Sequence, residues 1–320
     1  MRRRDLLPAL MVPWAAGAQA QTDFPNRALK IVVPQPPGGG FDFVGRVLAE
    51  PMAKGLGQGV VVENRPGSGT LVGTDAVAKA TADGYTLLVG SVSNLVLNAG
   101  LYPGLPYDPV RDFEPLGIAV AYSYTLMGRK DLPVATLAEL LARAKAQPRS
   151  FTYASAGNGS GQHVIAAALW HQAGVELVHV PYRGAQAAYQ DLIGGRVDLL
   201  FDLAPTARGQ IAGGTVRGLA TSAPQRSAMH PELPTLREAG VDLELESWFG
   251  LFAPARTPAA VLARLRAELQ RVSALAEVQE TFTKAGGRPL PLAAEDSRAM
   301  HLRDLERWTR LVRAAGIKAE

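Results

Sequence analysis

The chain has 320 residues, 47% of them apolar and 19% charged, with a formal net charge of +4 and no cysteine. That length allows two domains and a sizeable core. The weak, unclustered charge argues against a nucleic-acid-binding stripe, and the missing cysteine excludes disulfides, thiolate metal sites and a cysteine nucleophile.

Residues 1–20 read as a secretory signal. Arg2-Arg3-Arg4 is a basic head, residues 6–16 a short apolar stretch, and Ala18-Gln19-Ala20 a cleavage signal before Gln21. The stretch is far short of the ~20 residues a spanning helix needs. Arg3-Arg4-Asp5-Leu6-Leu7 is also a weak twin-arginine pattern. Cleavage would remove three arginines and Asp5, leaving a charge of about +2. No later stretch is apolar enough to span a membrane, so an exported, soluble product is expected.

Strand-like and helix-like segments then alternate in a βα manner. Residues 28–33 read as a strand, and 42–54 as a helix with Val44, Val47, Leu48 and Met52 on one face and a kink at Pro51. Residues 60–62 form a second strand, followed by the βα loop Asn64-Arg65-Pro66-Gly67-Ser68-Gly69. Residues 86–89 form another strand after the turn Asp83-Gly84. Thr136-Leu137-Ala138-Glu139 is a capping box opening a helix through residue 146.

Residues 151–154 are a strand, 162–172 a helix, and 176–180 and 197–201 strands around the helix 185–193. Residues 216–221 close this unit. Residues 247–253 read as a strand, and Thr257-Pro258 as a helix start. The remainder reads as nearly all helical, over 259–275, 278–285 and 295–315. These helices lack a core of their own and are expected to pack back on the first half. The chain then crosses between halves near 118–124 and near 246–250, which makes a hinge.

Two glycine-rich loops carry the functional argument. Pro34-Gln35-Pro36-Pro37-Gly38-Gly39-Gly40-Phe41-Asp42 and Ser155-Ala156-Gly157-Asn158-Gly159-Ser160 each follow a strand and open a helix. Each offers N–H groups at the positive end of a helix dipole, where an anion is favoured. Glycine lets a ligand approach without Cβ obstruction. A cleft with one loop on each wall would hold a small carboxylate, directly or through ordered waters. Hydrogen bonds to a charged group, at roughly 1.5–3 kcal/mol each, supply micromolar binding without arginine.

The candidate ligand-binding residues are therefore Gln35, Pro37, Gly38, Gly39, Gly40, Phe41, Asp42, Ser91, Ser155, Ala156, Gly157, Gly159, Ser160 and Asp202. Asp42 is either a helix cap or a pocket residue, and Ser91 either a wall residue or ordinary turn chemistry. Asp202 follows Leu199-Leu200-Phe201 and is expected at the carboxyl edge of the sheet, where α/β ligands bind. Arg183 is a solvated loop charge or part of the cleft rim.

Catalytic signatures fail. Phe43 and Gln162 stand where a G-x-G-x-x-G fingerprint needs its third glycine, and no G-x-S-x-G elbow is present. The five histidines lack metal-ligand spacing, and His163 reads as a helix-facing packing residue. Neither a metal nor a cofactor is expected.

The chain resembles the Bug-type periplasmic solute receptors, the binding proteins of tripartite tricarboxylate transporters. The resemblance is carried by Pro37-Gly38-Gly39-x-x-Asp42, Val62-Glu63-Asn64-Arg65-Pro66-Gly67, Asp83-Gly84-Tyr85-Thr86 and Leu105-Pro106-Tyr107-Asp108. Further matches are Gly157-x-Gly159-Ser160-x-x-His163, His179-Val180-Pro181-Tyr182-Arg183-Gly184 and Trp248-x-Gly250-Leu251-x-Ala253-Pro254.

The resemblance implies an α/β, two-lobed periplasmic-binding-protein (Venus flytrap) fold, type II-like, closing on a small organic acid. It implies that two waters held by the two glycine loops bridge to one ligand carboxylate. Gln35 departs from the aromatic or apolar residue frequent there, and Phe41 from a smaller one, so Phe41 is expected to narrow the pocket or stack on a flat ligand. Residues 21–120 with 248–320 are the expected first lobe, and 121–247 the second. The expected protein is a periplasmic monomer, a receptor and not an enzyme, that delivers its carboxylate to a membrane permease. A ligand sensor for a membrane signalling protein is the alternative.

Overall fold

The computed structural model describes residues 24–226, 230–314 and 316–317; the signal-sequence expectation for residues 1–20 lies outside them. In chain order the elements begin β1 (Leu29–Val33), α1 (Gly40–Leu56), β2 (Val60–Asn64), α2 (Leu71–Ala78), β3 (Thr86–Ser91) and α3 (Asn98–Leu101). There follow β4 (Phe113–Arg129), α4 (Leu137–Ala146), β5 (Thr152–Ser155), α5 (Gly161–Ala173), β6 (Val178–Pro181) and α6 (Ala185–Ile193). Then come β7 (Leu199–Leu203), α7 (Ala204–Ala212), β8 (Val216–Thr221) and β9 (Glu246–Pro254). The chain closes with α8 (Ala259–Ser273), α9 (Ala276–Lys284), β10 (Arg288–Leu292) and α10 (Ala294–Ala314).

Strand β4 organises the molecule. Its residues from Pro115 to Gly128 are all buried, because helices cover it and neighbours pair along both edges. Up to Ser123, which opposes Glu246, it runs antiparallel to β9; from Tyr124, which opposes Leu203, it runs antiparallel to β7. One wing of the curled sheet has the order β2-β1-β3-β9-β4-β10, and the other β8-β4-β7-β5-β6. Within the wings, β2-β1-β3 and β6-β5-β7 are parallel. Their carboxyl ends, and the loops that follow them, face one another across the join.

The differences from the sequence expectations have local causes. Helix α1 begins two residues earlier than expected and runs on through Pro51. Phe41 thereby joins Val44, Leu48 and Met52 in one buried stripe at i, i+3, i+7 and i+11. β10 lies between the helices read over 278–285 and 295–315, where no strand was expected; Pro289 and Pro291 mask it, and proline is tolerated because β10 is an edge strand. α7 also escaped the sequence reading, since Pro205 and Gly209 weaken its helical signal. The capping box at Thr136 forms, with its hydroxyl accepting from the Glu139 N–H at 3.2 Å, although Glu139 reaches back to the Ala135 N–H, at 2.8 Å.

Candidate functional site

Four βα loops converge where the wings meet. Residues 34–36 after β1, 66–71 after β2, 156–158 after β5 and 181–184 after β6, together with Tyr102, enclose a cavity of roughly 790 Å³. Parallel strands place it there: each loop leaves a strand at its carboxyl end, and two such ends from each wing point into one space.

The first loop is shaped by Asp42. Its carboxylate is 5% exposed and accepts from the Gly38 N–H at 3.0 Å, Arg46 Nε at 2.9 Å and Asn64 Nδ2 at 3.0 Å. Asn64 Nδ2 also donates to the Gln35 carbonyl at 3.0 Å, tying this loop to the next. Burial alone would raise the Asp42 carboxyl, but the bonds from Arg46, Gly38 and Asn64 outweigh it and hold the group below its ordinary range. Asp42 therefore braces the loop from behind. With Gly38 and Gly39 it borders a separate hollow of about 660 Å³ between α1, α7 and α9.

The second loop rests on a stack of rings. His163 and His179 lie parallel, with centroids 4.1 Å apart, and Tyr153 stacks on His179 at 4.8 Å. His163 Nδ1 accepts from the Gly159 N–H at 3.2 Å, and His179 Nε2 sits 2.7 Å from Ser155 Oγ. Burial pushes His163 down to about 4; burial, then the neighbouring His163, pushes His179 down to about 3. Both rings are neutral at ordinary pH, so the Nδ1 acceptor is available to the loop. The Gly157 N–H meets Ser155 Oγ at 3.2 Å, and the Ser160 N–H meets the Gly157 carbonyl at 3.1 Å. Ser160 Oγ caps α5 through the His163 N–H at 3.3 Å.

These bonds correct the picture of bare amides. The N–H groups of Gly38, Gly157, Gly159 and Ser160 already have protein partners, which hold the loops in shape. At the start of α1 the first-turn N–H groups, from Gly40 onward, have no carbonyl four residues back within the helix.

Of the residues expected at the site, Gln35, Ala156 and Gly157 line the cavity. Phe41 does not: its ring is 2% exposed and packs edge-on against Phe249, with centroids 5.1 Å apart. Gly40 touches the other wing, since a Cβ there would lie 2.5 Å from Leu203 Cδ1. Ser91 ends β3, fully buried, and its hydroxyl accepts from the Ser93 N–H at 3.1 Å.

Asp202 lies within β7 and is 1% exposed. It accepts from Gln162 Nε2 at 2.9 Å, from the Leu203 N–H at 2.8 Å and from the Thr206 hydroxyl. Burial raises its carboxyl despite these bonds. Pro37, Ser155, Gly159 and Ser160 belong to the two loops but do not line the cavity: Pro37 is exposed, and the other three are buried.

The sequence reading missed the third loop as a wall. There Ser68 (φ 43°), Gly69 (φ 63°) and Thr70 (φ 110°) are all left-handed, a costly conformation for a β-branched threonine. A buried network holds it. Thr70 Oγ1 accepts from Asn98 Nδ2 at 3.0 Å, Asn98 Nδ2 also reaches Tyr107 Oη at 2.9 Å, and Tyr107 donates to the Asn94 carbonyl at 2.6 Å. The motif Pro66-Gly67-Ser68-Gly69 was the available signal.

The wings touch around the cavity. The Gly161 N–H donates to Ser93 Oγ at 2.9 Å, Gln186 Nε2 to the Gly38 carbonyl at 3.3 Å, and Tyr102 Oη to the Asn158 carbonyl at 3.4 Å. Gly184, at φ 110°, lies against Pro36: a Cβ would come within 3.1 Å of the proline ring. Among the described residues, no group of three or more His, Asp or Glu side chains is arranged to hold a metal ion, and no helix is long and apolar enough to cross a membrane.

Comparison with known proteins agrees with this geometry. Residues 44–317 match the tripartite tricarboxylate transporter family receptor. The chain is 38% identical over 315 residues, 97% of its length and 94% of the relative's, to the protein encoded in the tcbD-tcbE intergenic region of Pseudomonas sp. (strain P51). The periplasmic binding protein BugD superposes with a TM-score of 0.88 at 34% identity, covering 92% of this chain and all of BugD. MatC from Rhodopseudomonas palustris with bound malate superposes with a TM-score of 0.86 at 32% identity, covering 90% of this chain and all of MatC. The two-lobed fold, the match along most of the chain and the likeness to BugD make one conclusion: the chain belongs to the tripartite tricarboxylate transporter receptor family, as a Bug-type solute-binding receptor and not an enzyme.

Proposed function

We propose that this receptor works in the periplasm and binds a small organic carboxylate in the cavity between the four βα loops. The observation that carries the reading is the charge of the wall. Among the described residues lining the cavity there is no aspartate or glutamate, and one cation, Arg183. A wall of backbone, hydroxyls and one guanidinium suits an anion. Malate bound to MatC supports a small acid of that kind.

In this reading the two glycine loops hold one carboxylate through backbone N–H groups and bridging waters. The amides already bonded within the loops keep the loops in shape, so the waters are held by the main-chain groups those bonds leave over. The lobes are residues 21–120 with 248–320 and residues 121–247, a division supported by the change of partner along β4 at Ser123 and Tyr124. Closure about that strand traps the ligand. Residues 1–20 direct export, and the loaded receptor, a monomer, delivers its ligand to the permease of a tripartite tricarboxylate transporter.

Titration calorimetry against mono-, di- and aromatic acids, each with its amide as control, tests the reading. Binding of at least one acid in the micromolar range, with its amide silent, is expected. If no acid binds, or acid and amide bind alike, carboxylate recognition is wrong.

A further inference from the structure

Resting on that reading, one residue of the cavity has chemistry that loop recognition of a single carboxylate leaves unused. Four cations near the loops are matched with carboxylates. Arg46 Nε lies 2.9 Å from Asp42, Lys30 Nζ lies 2.6 Å from Glu63, Arg65 also pairs with Glu63, and Arg196 pairs with Asp191. Arg183 lines the cavity, is exposed, and has no ion-pair or hydrogen-bond partner among the described residues.

The backbone beneath Arg183 is fixed on both sides. The Tyr182 N–H donates to the Ser155 carbonyl at 3.1 Å, and the Tyr182 hydroxyl donates to Asp191 at 2.7 Å. Gly184, left-handed at φ 110°, abuts Pro36 of the opposite wing. The guanidinium thus starts from a rigid point where the two wings meet, on the same loop system as Ala156 and Gly157. Its charge is not spent on the fold, and the cavity has no acid to attract it.

We propose that Arg183 is the specificity residue of this receptor: it pairs with a second anionic group of the ligand while the glycine loops hold the first carboxylate. Guanidinium is suited to this because its planar fork grips a carboxylate with two parallel N–H bonds. In the open cleft the side chain stays hydrated at little cost, and closure around a dianion strips water from the pair and strengthens it. The receptor accordingly prefers diacids over monoacids of the same length, by about 10–100-fold, the range for a charge-assisted pair.

The probes are straight-chain diacids from malonate to adipate, each measured by calorimetry against its own monomethyl ester. The wild-type protein is expected to bind its best diacid at least tenfold tighter than the matching ester. Arg183→Gln brings that ratio below threefold, and Arg183→Lys restores part of it. Unchanged thermal midpoints establish that both variants fold.

A ratio that survives in Arg183→Gln, or a wild type that binds ester and diacid alike, overturns the role of Arg183 while leaving carboxylate binding intact. A wild type that binds neither the diacids, nor their esters, nor simple monoacids overturns the receptor reading itself, and this proposal with it.

Discussion

The Ser93 hydroxyl accepts a hydrogen bond from the Gly161 N–H at 2.9 Å, joining the π-helical turn Ser93–Leu97 of one wing to the start of α5 in the other. That N–H is one of the donors a helix start leaves unmet, and here the opposite lobe supplies the acceptor. Ser93→Ala would leave the donor buried in the closed form at a cost of about 1–3 kcal/mol, so closure weakens. Ligand affinity is expected to fall by about tenfold, with a larger radius of gyration by small-angle scattering. Equal affinity and equal radius would show that the contact carries no closure energy.

Gly40 and Leu203 set how near the wings approach. A Cβ at Gly40 would sit 2.5 Å from Leu203 Cδ1, and Leu203 is 4% exposed, with little room to turn. Gly40→Ala is expected to prop the cleft open and weaken binding, and Leu203→Ala to recover much of the loss when added. A double-mutant cycle on ligand affinity measures the coupling; additive losses would mean that the two residues do not meet when the protein closes.

Two effects compete at Asp42, its ion pair with Arg46 and its bonds to the Gly38 N–H and Asn64. Arg46 is 56% exposed, so water screens the pair and its share is about 0–1 kcal/mol. The bonds to the loop are part-buried, on a carboxylate only 5% exposed, and they dominate. Asp42→Ala is expected to lower stability by about 1–3 kcal/mol, and Arg46→Ala by well under half of that, both read from urea unfolding midpoints. The reverse order of effects would place the stabilisation in the ion pair. Because Asp42 is held below its ordinary 3.8, the stability it lends is present above that value and is lost as pH falls through the lower, folded value.

The stacked histidines give a pH dependence of the same sign at higher pH. Native His163 titrates at about 4 and His179 at about 3, against 6.5 for an unperturbed ring. As pH falls from 6.5 toward 4, the unfolded chain binds protons that the native pair refuses. Stability therefore drops by up to about 1.4 kcal/mol per pH unit for each ring, and above 6.5 the two rings add no slope. His163→Asn with His179→Gln keeps acceptors in the Nδ1 and Nε2 positions and should flatten the dependence. His301, also lowered by burial, contributes alike to both proteins, so the difference isolates the stack. Parallel curves for the two proteins between pH 7 and 5 would refute the assignment.

Much of the alternation was legible in the sequence because its signals are local. Residues 162–172 and 185–193 announced helices through their flanking glycine loops and apolar spacing, and residues 216–221 a strand through composition. β10 and α7 were hidden by prolines and glycines whose cost only neighbours offset: β4 pairs with β10, and α7 packs against β4, β7 and β8. At the site, the two glycine loops were visible as motifs. What was not visible was the use of their amides, since Asp42, His163 and Ser155 claim them through contacts set by packing.

The sequence alone determined much of the strand and helix alternation, though not β4, α2, α3, α7 or β10, together with the glycine loops that open α1 and α5 and the exclusion of cysteine chemistry, because each depends on residue type and short spacing. Tertiary structure decided what those residues face. It put Phe41 in the core against Phe249, shut Asp202 inside the second wing, and brought residues 66–71 and 181–184 to one cavity. The physical reason is that a side chain's surroundings follow from which strands pair and how the wings close, and in this fold a single strand, β4, governs both.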